Sequence, residues 1–338
     1  MDLRQMEYFL AVVDNGGVNR AAAALRVAQP SLSQAVRKLE KDLGTELFHR
    51  VGRGLVLAPA GEALVGPARM ILRDAEAAAN AVRSAGRPSG GRIDIAAISD
   101  MSTDPLSVWV ARFRARNHDV QFRIDERDDA ADVIDLVRSG ACELGFLPMP
   151  IAGGDLVTAD LVRQNFVLVC PPGTDALWPD PVPADALAGV PFVMSERGTA
   201  TRDYLDETLR LRGVEPRIVV EVPQRGAVLP IVMAGGGAAI IPLRIALEAH
   251  RHNGVVRELS PHLSRQLGVV HRPGRMTAAA RAFLDFSRRS FEMWLQNLEA
   301  HRAAGHSLFD SALLSMQEAD RRVRERTREH TDVRPGNQ

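Results

Sequence analysis

Along the first 60 residues, apolar positions recur at helical spacing in three short runs separated by turn residues. Residues 2–13 carry Leu3, Met6, Phe9, Leu10 and Val13, and Asn15-Gly16-Gly17 then turns the chain. Residues 19–25 form a short, alanine-rich run, and Arg26-Val27-Ala28 leads into Gln29–Leu43. In that third run Leu32, Val36, Leu39 and Leu43 recur at four, three and four, which places them on one face of a helix that Pro30 starts and Gly44 ends. The small residues of the second run allow close packing against the third, the arrangement a helix-turn-helix needs. Leu47 to Leu57 then predicts two short strands around Gly52-Arg53-Gly54, a wing. A long helix comes next over 59–85, with Leu64, Ala68, Ile71, Ala75, Ala78 and Val82 as a heptad stripe made mostly of alanine; Gly66-Pro67 is expected to bend it locally.

From residue 86 the pattern changes. GRPSGG at 86–91 reads as a hinge. Strands are predicted at 92–98, 120–125, 144–147, 166–170, 192–194, 217–222, 238–241 and 267–271. Helices fall between them at 105–116, 132–139, 200–212 and 227–235, with a closing helix at 277–298. This alternation is that of an α/β fold.

Composition narrows the function classes. At 338 residues two or three domains are expected. The formal net charge is zero, and the first 60 residues hold only eight basic against six acidic groups. Binding to nucleic acid must therefore rest on where charges sit, with Arg20, Arg37, Lys38, Arg50 and Arg53 as candidates. Two cysteines, Cys142 and Cys170, make no disulfide framework. The absence of a signal region or a long apolar run makes a cytoplasmic protein with no membrane partner the expectation.

Catalytic patterns are not found. Gly235-Gly236-Gly237 does not continue as G-x-G-x-x-G, since Ile240 stands at the last position, and a tight helix-to-strand turn is the better reading. His250 and His252 have no zinc-like spacing and read as surface loop. No G-x-S-x-G or Ser-His-Asp order occurs, so no catalytic residue, metal or cofactor is expected.

The run F-L-A-V-V, A-A-A-A-L, Q-P-S-L-S-Q-A-V-R-K-L-E-K-D-L-G-T-E-L-F-H-R, ending in A-P-A-G-E-A-L, resembles the N-terminal domain of LysR-type transcriptional regulators, over residues 1 to about 87. It departs from the family at Val18-Asn19, where an aromatic residue and Ser or Thr are usual, and at Ala58, where Thr usually caps the next helix; Asn19 is itself expected to cap. Leu136 to Gly140 leading into Glu143 to Phe146, Pro191-Phe192-Val193, and residues 230–243 look like the family's effector domain. The resemblance implies an all-α winged helix-turn-helix (1–58), a linker helix that dimerises antiparallel (59–87) and a hinge (88–91). It also implies an effector-binding domain (92–300) of two α/β lobes resembling a periplasmic binding protein, lobe I at 92–162 and 268–296 and lobe II at 163–267. Residues 301–338 form a charged C-terminal extension in a family that commonly stops near 300.

The function this implies is that of a DNA-binding regulator controlled by a small-molecule effector. Gln29, Ser33 and Gln34 are expected at base edges with Pro30 in apolar contact, and Arg53 in the minor groove. Arg20, Arg37 and Arg50 hold phosphates, and Ser31 and Lys38 share the same helix face. The effector cleft is expected to draw on Ser99, Asp100, Ser102, Thr103, Asp128, Ser195, Thr199, Arg202 and Gln224, with Arg197 or Arg202 adding charge and Asp104 serving only as a helix cap. Helix N-termini and hydroxyls favour a small polar carboxylate, which Asp100 and Asp128 oppose unless it also carries an amine or hydroxyl. The partners implied are duplex DNA with a dyad-symmetric site, the effector, further copies of the chain as a dimer of dimers, and RNA polymerase as a candidate. The tail either caps the assembly or is disordered. Two alternatives stay open: a redox-responsive regulator using Cys142 and Cys170, and a solute-binding α/β protein with accessory helices.

Overall fold

The computed structural model describes residues 1–51, 54–83, 91–274 and 276–332. The chain opens with α1 (Leu3–Asn15), α2 (Val18–Leu25) and α3 (Gln29–Leu43). Asp2 and Gln5 form a reciprocal capping box at the start of α1, and Gly16 ends it in the left-handed region at φ 63°. Gly17, not Asn19, occupies the N-cap of α2, so Asn19 lies inside the helix and does not cap it. Leu32, Val36 and Leu39 are buried as the spacing predicts, whereas Leu43 is exposed at the helix end. The paired strands β1 (Phe48–Val51) and β2 (Gly54–Leu57) make the wing. Its start is held by Glu40, whose carboxylate accepts the amides of Leu47 at 2.9 Å and Phe48 at 3.3 Å.

The long helix α4 (Pro59–Arg83) runs through Pro67 without ending. Its stripe divides. Ala68 is buried in the winged core with Met6, Phe9, Leu39 and Leu47, and Leu64 packs against it. Farther along, Ile71 and Ala78 are exposed. The helix also lies on the C-terminal domain: Arg73 donates to the Gly140 carbonyl at 2.9 Å. Gly66 eases the neighbouring contact, because a Cβ there would stand a tight 3.2 Å from the Ser139 carbonyl oxygen.

The C-terminal domain follows as β3 (Gly91–Ile98), α5 (Ser99–Met101), α6 (Ser107–Arg114), β4 (Val120–Arg127), α7 (Ala130–Arg138), β5 (Leu144–Pro148) and β6 (Val157–Cys170). Then come β7 (Val182–Pro183), β8 (Pro191–Ser195), α8 (Ala200–Leu211), β9 (Arg217–Val222), α9 (Val228–Met233), β10 (Ala239–Pro242) and α10 (Leu243–Arg251). The chain ends with β11 (Val255–Arg257), β12 (Leu259–Ser260), β13 (Leu263–His271), α11 (Ala278–Ala303) and α12 (Leu308–Asp332).

Two long antiparallel strands, β6 and β13, pair from Val157↔His271 to Phe166↔Leu263 and pass from one lobe to the other. At one end β13 continues into β5, β3 and β4; at the other β6 carries β10 and β11. A bridge between Phe192 and Ala238 adds the parallel pair β8–β9. Lobe I is cored by Ile93, Ile95, Phe146 and Val269, with Phe113, Phe122 and Phe283 stacked edge to face at 4.9–6.0 Å.

α11 serves both lobes, Phe283 and Leu284 in the first core and Trp294, Leu295 and Leu298 in the second, although the expected boundaries leave it with lobe I to residue 296. Four segments in particular differ from the sequence reading. β6 and β13 start earlier than expected, their first residues mixing apolar and polar positions in a paired strand. His250 and His252 stand at the C-terminal end of the unforeseen helix α10 and not in a loop. The described part of the charged extension is helical over Leu308–Asp332, and Leu308, Phe309 and Ala312 are buried in the lobe II core.

Candidate functional site

Burying Leu32, Val36 and Leu39 leaves the other side of α3 free. Gln29, Pro30, Ser31, Gln34, Arg37 and Lys38 are exposed and Ser33 is half-buried. Gln29 Nε2 donates to Ser33 Oγ at 2.8 Å, so the two polar tips are held as a pair. No side chain caps the start of α3, where Ala28 is the N-cap and its carbonyl accepts the amides of Ser31 at 3.0 Å and Leu32 at 3.2 Å. Glutamine, serine and arginine at successive turns of an exposed face suit a phosphate backbone and base edges together. Arg20 is exposed and donates to the Gly16 carbonyl at 2.6 Å. Arg50 stands on β1 opposite Leu55. Its side chain, that of Val82, all of Gly52 and Arg53, and the hinge at 88–90 lie outside the described residues.

The second site is the cleft between the lobes, and its centre is an arginine that no sequence motif marks. Arg265 on β13 is buried, with its guanidinium over the rings of Phe166 and Tyr204 at 5.3 and 5.5 Å. It donates to Gln164 Oε1 on β6 at 2.8 Å and to the Ala200 carbonyl at 3.0 Å. Its Nη2 reaches Asp100 Oδ2 at 2.8 Å and Thr201 Oγ1 at 2.9 Å. Asp100 comes from lobe I, Ala200 and Thr201 from the start of α8 in lobe II, and Gln164 from the crossing strand. One side chain therefore ties all three. Burial pushes Arg265 down to about 10, with Asp100 opposing the fall, so it stays charged at neutral pH. The fully buried Asp100 also pairs with Arg225 of lobe II and accepts from the Thr201 hydroxyl. Nearby Asp104 meets Arg244 at 2.5 Å, and Arg244 lies over Trp294 at 5.0 Å. Asp104 is thus a partner in a lobe-to-lobe ion pair and caps no helix.

Behind these pairs opens a cavity of about 430 Å³. Its walls are largely apolar, with Leu205, Val228, Leu229, Ile240 and Ile245 among them, and its polar groups include Asp100, Asp104, Arg225 and Arg244. Thr103, Ser195 and Thr201 also touch it.

The expected cleft residues divide accordingly. Ser195 and Thr199 are buried and share a hydrogen bond at 3.1 Å, and Thr199 is the N-cap of α8. Ser99 donates to Asp128 at 2.8 Å, and Ser102 donates to Glu126. The Thr103 hydroxyl donates to the Ser99 carbonyl at 3.1 Å. Gln224 and Arg197 are exposed and outside the cavity lining. Arg202 is buried but turned into lobe II, where it binds Glu221 at 2.9 Å, Asp206 at 2.8 Å and the Ser195 carbonyl at 2.7 Å. It is a lobe II brace and takes no part in the cavity.

Arg265 has a readable signal: it shares the inward face of an alternating strand with Leu263, Leu267 and Val269. Arg225 stands directly beside the expected Gln224. Arg244 has no signal beyond opening α10, a helix that spacing alone does not predict.

Cys142 and Cys170 are buried in different cores. Burial pushes both thiols up to about 12. A redox pair needs an accessible thiolate, so the geometry argues against that alternative. Among the described residues no group of three or more His, Cys, Asp and Glu is placed to hold a metal ion, and no helix is long and apolar enough to cross a membrane.

Residues 3–62 match the family model for bacterial regulatory helix-turn-helix proteins of the lysR family, and residues 86–292 match the LysR substrate binding domain. The HTH-type transcriptional regulator YeiE of Escherichia coli K12 is 29% identical over 290 residues, covering 84% of this chain and 96% of that protein. The RuBisCO operon transcriptional regulator of Allochromatium vinosum is 28% identical over 292 residues, covering 85% and 95%. Among solved structures, a full-length OxyR variant from Pseudomonas aeruginosa aligns with a TM-score of 0.67 at 20% identity, covering 87% of this chain and 95% of that one. Full-length CbnR complexed with its target DNA aligns at 0.58 and 22%, covering 86% and 100%. These likenesses carry the fold.

The geometry leads to two expected outcomes. Replacing Asp100 by Ala leaves Arg265 and Arg225 facing each other without a carboxylate, and the unfolding free energy of the full chain falls by about 3–5 kcal/mol; denaturant titration measures it, and a smaller loss than Thr201→Ala causes would remove Asp100 from the centre of the network. The thiols stay protonated in the folded chain up to about 12, while in the unfolded chain they ionise near 9, so their contribution is intact below 9 and lost as pH rises from 9 through 12. At mildly alkaline pH an aromatic disulfide reagent leaves the folded chain unmodified and titrates both cysteines once guanidinium is added.

Proposed function

The chain belongs to the LysR family of DNA-binding transcriptional regulators with an effector-binding domain, and from that premise we propose that α3 and the wing read a dyad-symmetric promoter site under control of an amphipathic anion in the interlobe cavity. What carries the DNA reading is the exposed polar face of α3, laid opposite its buried stripe. Gln29, Ser33 and Gln34 serve base edges, while Arg37, Lys38 and Arg20 serve phosphates. Ile71 and Ala78, exposed on α4 beyond the winged core, are suited to pairing with a second copy. Two such dimers then join through their effector domains, RNA polymerase is a partner at the promoter, and the protein works in the cytoplasm.

The effector's character rests on the cavity. A small polar carboxylate held by Ser99, Ser102, Ser195, Thr199 and Gln224 is poorly served, because the four hydroxyls are already bonded and Gln224 stands outside. An apolar body suits the Leu205, Val228, Leu229 and Ile245 walls. An anionic head suits Arg225 and Arg244, where it would take the place of the Asp100 and Asp104 carboxylates. Exchanging an internal carboxylate for the ligand's own would release one lobe from the other and shift their closure.

Gln34→Ala weakens binding to the cognate promoter by about 1–3 kcal/mol and relaxes preference at one base pair, whereas Arg37→Ala weakens cognate and random DNA alike. Mobility shifts on both probes measure this, and equal loss on both probes for the two variants would dissolve the division of labour. For the effector, Arg244→Gln lowers the affinity of an aromatic or aliphatic carboxylate by about tenfold or more in calorimetric titration of the full chain. An unchanged affinity would move the anion's seat away from Arg244.

A further inference from the structure

The family model ends at residue 292, yet the chain continues into α12. Its start is built with care. Ser307 Oγ accepts from the Asp310 amide at 3.0 Å and donates to the Asp310 carboxylate at 2.7 Å. The Leu308 amide donates to Glu258 at 2.6 Å, which Arg302 also approaches at 3.9 Å. Leu308, Phe309 and Ala312 are then buried against Leu247, Ala249 and Leu298, and the His250 ring meets Phe309 at 5.2 Å. His301 on α11 reaches Glu318 at 3.1 Å. Ser311 and Ser315 are fully buried on the same helix, small groups that let α12 lie close.

This seat fixes what comes one turn later. α10, on which α12 rests, gives the cavity Arg244, Ile245, Leu247, Glu248 and Arg251. Met316, four residues beyond Ala312, joins that lining, with its sulfur 3.9 Å from Arg251 Nη2. Every other described residue of the lining lies between Asp100 and Arg251.

We propose that α12 is a resident wall of the effector cavity and that Met316 is a specificity-determining contact for the ligand's apolar body. This rests on the cavity being the effector's seat. A thioether is flexible and polarisable, so it shapes itself to an apolar ligand while Arg251 stays beside it. A shorter side chain at 316 lengthens the cavity; a larger one shortens it.

The test uses the full chain and the probe 8-anilinonaphthalene-1-sulfonate, whose aromatic body and sulfonate head match the cavity's chemistry, followed by fluorescence titration. Leu229→Trp fills the cavity from its own wall, and Met316→Trp fills it from α12. Both weaken the probe by about tenfold or more, Met316→Ala shifts its Kd and emission maximum, and Met316→Leu restores both to the wild-type values. Each variant's thermal midpoint is compared with wild type, and Met316→Ala with Met316→Leu decides the matter if the tryptophan variant does not fold. Probe that is lost in Leu229→Trp but bound alike by all Met316 variants overturns the role of α12 and leaves the cavity as the seat. Probe that does not bind, or that ignores Leu229→Trp, overturns the cavity reading itself and the Met316 proposal with it.

Discussion

A buried guanidinium between two lobes sets the rest of this domain in order. Arg265 cannot be left unpaired in a protein interior, and the groups that satisfy it come from lobe I, lobe II and the crossing strand at once. The lobes must therefore meet in one arrangement for the charge to be tolerated. Asp100 has the complementary need, and Arg225 of lobe II adds a second cation on its other oxygen. Stability is not the obvious gain, since well-packed apolar residues often serve as well at such sites. What the pair supplies is a defined closure of the two lobes.

The fold is legible in the sequence where a period or a breaker governs local structure. The three N-terminal helices, the wing and most strands follow from spacing and glycine alone, and α3 runs over its expected residues without a shift. Legibility fails where tertiary pairing decides. The first residues of β6 and β13 alternate with polar side chains and declare themselves strands only through each other. α10 opens on Pro242-Leu243 directly after a strand, so its start looks like the end of the strand. The extension's charge masks the buried Leu308, Phe309 and Ala312. At the cleft, sequence reasoning points to the right segments but to their hydroxyls, because free hydroxyls at helix starts are the usual signal. The folded chain uses those hydroxyls internally and turns arginines, marked by no motif, toward the cavity. On sequence alone Asp100 reads as an obstacle to an anion. It is instead the anion already in place.

β3 offers a physical route from this cleft to the DNA-binding half. Its end leads directly into Asp100, and six residues earlier Asp94 is buried beside Arg92 at 3.0 Å and Arg73 of α4 at 4.0 Å. Asp94 lies within β3, which is paired with β4 along its whole length, and Asp100 follows the strand's end in α5. The Asp94 carbonyl accepts the Glu143 amide at 2.7 Å, and Glu143 in turn holds the first turn of α11 through Thr277 at 2.6 Å. Arg272, pushed down by burial and then by Arg73, packs against Gly140 at the same junction. A shift of lobe I at Asp100 thus has to be accommodated where α4 rests on Gly140. Ile71 and Ala78 are exposed on that helix, and under the proposed pairing with a second copy a change in closure alters the angle between the two α3 helices. A coupling of this kind needs no wire of side-chain contacts; it needs a strand that does not bend and a helix that packs on both the winged core and lobe I.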